Sequence, residues 1–125
     1  MLSLPTTVRI FAAVEPVDLR KGFNGLACQV QQVIAADPLS GHLFVFVNRR
    51  GNRIKVLFWT RNGYCILYKR LEQGRLHLPT RPRQGGSIVL EAAELSALLD
   101  GIDLRQATLR PAWVPTSTLG SRRTP

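Results

Sequence analysis

Two turn dipeptides, Gly51-Asn52 and Asn62-Gly63, constrain this chain more than any other feature. Each separates runs rich in β-branched and aromatic residues. Gly and Asn tolerate positive φ, so each dipeptide reads as the two-residue loop of a β-hairpin. The expected strands are His42–Asn48, Arg53–Thr60 and Tyr64–Leu71. Pairing across such loops sets Arg50 opposite Arg53, Asn48 opposite Lys55 and Phe46 opposite Leu57. In the second hairpin it sets Arg61 opposite Tyr64, Trp59 opposite Ile66, Leu57 opposite Tyr68 and Lys55 opposite Arg70.

Val8–Val14 is an apolar run expected to form a strand that stops at Pro16. Asp18 is placed to cap a helix, and apolar residues from Leu19 to Ile34 recur at helical spacing, so a helix is expected over Leu19–Ala36. Asp37-Pro38 ends it. Arg75–Leu78 can extend the sheet, Thr80–Gly86 reads as loop, and Ser87–Leu90 as a last short strand. Glu91–Leu99 is a short helix stopped by Gly101. The expected class is α+β: an antiparallel β-meander of three to five strands packed with an N-terminal amphipathic helix and a short C-terminal helix. A chain of 125 residues suits one domain, expected over residues 1–104. Residues 105–125, rich in Pro, Ser and Thr, are expected to be disordered.

Strand alternation divides the meander into two faces. One holds Leu43, Val45, Val47, Ile54, Val56, Phe58, Cys65 and Leu67, polar only at Arg49 and Lys69. It is the expected core face and should receive the Phe23 side of the first helix. The other holds His42, Asn48, Arg50, Arg53, Lys55, Trp59, Arg61, Tyr64, Tyr68 and Arg70 around Phe44, Phe46 and Leu57.

The charge is concentrated in the same segment. The chain has 17 Lys and Arg against 8 Asp and Glu, a formal +9. Ten of the basic residues fall between Arg49 and Arg83, with Glu72 the one acid among them, and the rest of the chain is balanced. Self-repulsion on that scale is relieved by a polyanion, so DNA is the expected partner. The expected nucleic-acid-binding residues are Arg49, Arg50, Arg53, Lys55, Arg61, Lys69 and Arg70 for phosphates, with Trp59, Tyr64 and Tyr68 offering rings for stacking or packing. Arg20 and Lys21 join them as cations in the first turn of the expected helix, where a bound phosphate would offset their opposition to the helix dipole; simple solvent exposure is the equal alternative for these two. The same face also admits a protein-contact reading. It further admits a plain solvated sheet with Trp59 and Tyr68 buried under the second helix and the basic groups at its rim.

Several classes are set aside. The eight acids do not group on one strand face, and Glu91 and Glu94 read as a solvated helix start. His42 and His77 lack metal-ligand spacing. Cys28 and Cys65 form no CxxC pair and read as small buried apolar residues. Neither standard glycine-rich phosphate loop is present. The expectation is therefore a non-enzyme without metal or cofactor. No apolar run approaches the ~20 residues of a membrane span. Arg9 interrupts Met1–Val14, which argues against a signal peptide, so a cytoplasmic setting is expected.

Two stretches resemble a known family. Asp18-Leu19-Arg20-Lys21-Gly22-Phe23-Asn24-Gly25-Leu26-Ala27 is similar to its helix start, and His42–Arg75, HLFVFVNRRGNRIKVLFWTRNGYCILYKRLEQGR, to its central signature. The family is the small accessory protein, called TnpB or the second open reading frame, of bacterial insertion sequences of the sixty-six type. It is distinct from the RNA-guided nuclease that shares the TnpB name. The resemblance spans Val8–Asp103. It implies a helper of transposition encoded beside a separate DDE-type transposase and a second small accessory protein, with the catalytic carboxylates on the transposase. Leu78 stands where the family often has Trp, and the tail after Arg110 lies outside the pattern.

Overall fold

The computed structural model describes residues 7–105, so the expected tail beyond Arg105 lies outside the described residues. The strands are β1 (Ile10–Ala13), β2 (Leu43–Val47), β3 (Arg53–Thr60), β4 (Gly63–Arg70) and β5 (Ser87–Leu90), and the helices α1 (Phe23–Gln29) and α2 (Ala92–Leu99). They form one five-stranded sheet of order β4-β3-β2-β1-β5. The α+β class and the antiparallel β2-β3-β4 meander match expectation. β1 does not extend the meander: it runs parallel to β2 and antiparallel to β5, inside the sheet. The crossover through α1 returns the chain in its original direction, which two-residue loops cannot do. Ile10, Ala12 and Ala13 are all buried, as an interior strand requires.

Both hairpins differ by two positions from the register that the dipeptides predict. Phe46 faces Lys55 and Phe44 faces Leu57. Across β3–β4, Arg53 faces Arg70, Lys55 faces Tyr68, Leu57 faces Ile66 and Trp59 faces Tyr64. The expected pairs Arg50 with Arg53 and Lys55 with Arg70 do not form. Asn48 closes the first loop: its Oδ1 accepts the N–H groups of Asn52 (3.0 Å) and Arg53 (2.9 Å), and its Nδ2 donates to Asn52 Oδ1 (2.8 Å). The loop is therefore four residues, 49–52, with Gly51 at φ +71. In the second hairpin Thr60 pairs with Gly63, so Arg61 and Asn62 make the turn and Arg61 takes φ 50. A shift of two leaves the alternation intact, so each strand side chain keeps its expected face.

The helices required larger corrections. α1 begins at Phe23 rather than Leu19, with Gly22 at the N-cap. It continues as a π-helical stretch, Val30–Ile34, closed by Ala35 at φ 59. Asp18 is committed to Arg20 and caps nothing, and Arg20 and Lys21 lie before the N-cap Gly22 rather than in the first helical turn. α1 covers the opposite face from the one expected: Leu26, Val30 and Ile34 pack with Phe44, Phe46 and Leu57, and Phe23 is 50% exposed. The connection decides this. Val17 N–H donates to Val47 O at 2.9 Å and Leu19 is buried beside Phe44 and Phe46, which delivers α1 to that side.

The valine face is closed by Leu76, Leu95, Leu98 and Leu104. Arg75–Leu78 forms no strand, because Leu76 turns into this core while its N–H donates to Gly51 O at 2.7 Å. α2 opens with a reciprocal capping box of Glu91 and Glu94, and Glu94 is buried rather than solvated. Cys28 is exposed on α1 and Cys65 half-buried on the outer strand, so neither is a core residue, and both are free thiols. Among the described residues no helix is long and apolar enough to cross a membrane.

Candidate nucleic-acid interface

An open groove of about 800 Å³ lies where β1 and β2 end side by side. One wall is the β1–α1 connection, Pro16–Arg20. The other is the 49–52 loop, and the floor comes from Lys55 and Tyr68. The connection alternates like a strand: Val17 and Leu19 point into the core, so Asp18 and Arg20 point out. Asp18 accepts the backbone N–H of Arg20 at 3.0 Å and its guanidinium at 2.7 Å. These hydrogen bonds hold the Asp18 carboxyl down at about 2.

Tyr68 organises the floor. Its hydroxyl accepts from Arg53 Nη1 at 2.6 Å, and Lys55 Nζ stands 4.8 Å from its ring centroid. Lys55 Nζ also donates to Lys21 O at 2.9 Å, tying the connection to β3. Arg49 and Arg50 stand exposed on the loop that Asn48 closes. Arg20, Arg49, Arg50, Arg53 and Lys55 thus line one groove, and its one carboxylate, Asp18, is already paired. Convergent cations with a single neutralised acid favour a polyanionic ligand.

The structure brings some of the expected site residues together and separates others. Arg20, Arg49, Arg50, Arg53, Lys55 and Tyr68 share the groove. Arg70 faces Arg53 across the ladder and pairs with Glu72 at 2.9 Å. Lys21 is exposed beside Arg20. Trp59 and Tyr64 meet edge to face, ring centroids 5.1 Å apart, near the Arg61 turn. Trp59 is six strand positions from Arg53, roughly 20 Å away. Tyr64 packs against the α1 core, so these two rings are not a stacking platform within the groove. Lys69 lies on the valine face and donates to Leu99 O at the end of α2. Sequence reasoning put Asn48 on the charged face and Asn52 in the loop but missed the bond between them. The Asn-x-x-x-Asn spacing was the available signal, because an asparagine that bonds nearby backbone closes turns without glycine.

Among the described residues, no group of three or more His, Cys, Asp or Glu could hold a metal ion. The class defined is a small basic α+β protein with a cationic groove at one end of its sheet. The chain belongs to a family described as "IS66 Orf2 like protein", whose model matches residues 8–108, and it is thereby an accessory protein of IS66-type insertion sequences. It is 43% identical over 116 residues to the uncharacterized protein y4hO of Sinorhizobium fredii (strain NBRC 101917 / NGR234), a match covering 91% of this chain and 99% of that one. It is 35% identical over 109 residues to y4jC of the same organism, covering 87% and 92%. No solved structure gives a significant match.

Proposed function

We propose that this accessory protein serves transposition without catalysing it, by holding DNA against the groove between the β1–α1 connection and the 49–52 loop. One observation carries the reading: five cations line that groove and its one acid is spent on Arg20. Arg49 and Arg50 would take phosphates at the rim and Arg53 and Lys55 at the floor, with Tyr68 fixing the latter two. Such contacts are blind to sequence and release counterions. Affinity for element-end duplex should fall with salt at a log–log slope of about −4 if these cations each neutralise a phosphate. A flat salt dependence would remove the reading.

A second reading, direct contact with the transposase, draws on Phe23, which is half exposed at the start of α1. Co-purification with the transposase after nuclease treatment, with no mobility shift by the protein alone, would favour it over DNA.

A further inference from the structure

The two edges of the sheet are finished differently. At β5 the edge is short, four residues, and the Val89 carbonyl accepts from the buried guanidinium of Arg81 at 2.9 Å. At β4 the edge runs eight residues, Gly63–Arg70, as a continuous ladder on β3 with no bulge and no proline. Among the described residues, no hydrogen bond reaches the backbone of β4 from its outer side. Its middle is uncharged, with Leu67 43% and Tyr68 49% exposed. Long, flat, uncharged edges are what soluble proteins ordinarily blunt, since their unpaired N–H and C=O groups template another strand.

The pairing pattern tells which groups are free. Thr60 and Gly63 flank a two-residue turn and exchange both hydrogen bonds, so alternation directs the N–H and C=O of Tyr64, Ile66 and Tyr68 outward. We propose that β4 pairs antiparallel with β4 of a second copy, about a two-fold axis at Ile66. This register sets Ile66 against the partner's Ile66, Tyr64 against the partner's Tyr68, and Cys65 against the partner's Leu67. Apolar meets apolar and ring meets ring, pairs that stabilise a sheet. Lys69 then faces the partner's Gly63 and Arg70 the partner's Asn62, so the interface of a strongly basic chain opposes no like charges. The same strand thus supplies both halves of a self-complementary, isologous contact. A two-fold axis normal to the sheet keeps both grooves on one side of a ten-stranded sheet. The pairing stands whatever the groove binds.

Sedimentation equilibrium of the full chain over about 1 to 100 µM tests it, since that range spans a weak to moderate specific interface. A monomer–dimer equilibrium is expected, with slowed exchange of the Tyr64, Ile66 and Tyr68 amides in the dimer. Leu67→Lys, at an exposed position, should raise the dimer dissociation constant at least tenfold while leaving the thermal melt of the monomer cooperative. Ile66→Cys with Cys28→Ser and Cys65→Ser should give a cross-linked dimer on mild oxidation, because directly opposed cysteines fall within disulfide reach. A monomer throughout, or a dimer whose β4 amides exchange freely, overturns the proposal. So does a monomer whose β4 amides become protected only when transposase is added.

Discussion

Arg81 and Glu94 form a bidentate ion pair with side chains 7% and 10% exposed, joining the loop before β5 to the first turn of α2. Arg81 also donates to Val89 O, and Glu94 accepts the N–H of Glu91. Arg81 is therefore no part of the exposed charge, although it sits in the basic segment. Removing one partner leaves a buried charge uncompensated, so Arg81→Met or Glu94→Gln should each cost about 3–5 kcal/mol in urea unfolding. The double variant Arg81→Met/Glu94→Leu should recover much of that loss. If the single variants unfold like the parent, the pair is not buried in solution.

The groove predicts a split between cations that look equivalent in the sequence. Arg50→Gln and Arg53→Gln should each weaken binding to all DNA sequences and lower the salt slope by about 1. Lys69→Gln, on the far face at the α2 terminus, should leave the slope unchanged and reduce stability slightly. Equal effects from Arg53 and Lys69 in a salt titration would contradict the placement of the interface.

Gly86 approaches the π-helical stretch so closely that a Cβ would collide with Val33 O and lie 2.7 Å from its Cγ1. Backbone cannot yield cheaply at that contact. Gly86→Ala should destabilise by about 1–3 kcal/mol, the range for an overpacked core, whereas Gly63→Ala, in open space, should change little. Denaturation midpoints of the two variants compare them directly.

Asp18 and Asp103 sit in twin Asp-Leu-Arg tripeptides. Leu19 anchors one on the α1 side and Leu104 the other on the α2 side. In each, side-chain hydrogen bonds from the arginine two residues on lower the carboxyl from 3.8 to about 2. A depressed folded value means that the contribution is present above about pH 4 and is lost as the pH falls from there towards about 2. Carboxyl-carbon NMR titration should show both groups near 2, and Arg20→Gln should return Asp18 towards 3.8 while leaving Asp103 unmoved.

The strands were legible because alternation and turn chemistry are local. Arg53–Thr60 matches its predicted bounds, and the register error of two spared the faces because two is the period of a strand. What stayed hidden was decided at a distance. Phe44, Phe46 and Leu57 gave the charged face an apolar centre, so pattern alone could not say which side α1 would cover. Asp18 looked like a cap, but Arg20 competes for the same carboxylate. Arg81 counted as surface charge until Glu94, thirteen residues on, drew it inside. The basic cluster was legible as a segment, yet only its end near the 49–52 loop converges on a groove.

β1 and β2 are the one parallel pair in this sheet, and they finish next to each other pointing the same way. Two chains that leave neighbouring strands in one direction must part, so the cleft between them follows from strand polarity and needs no ligand to open it. Its walls are connections rather than ladder. Substitutions in 16–21 or 49–52 can therefore retune what enters the cleft, element by element, while the hydrogen-bonded framework beneath stays as it is.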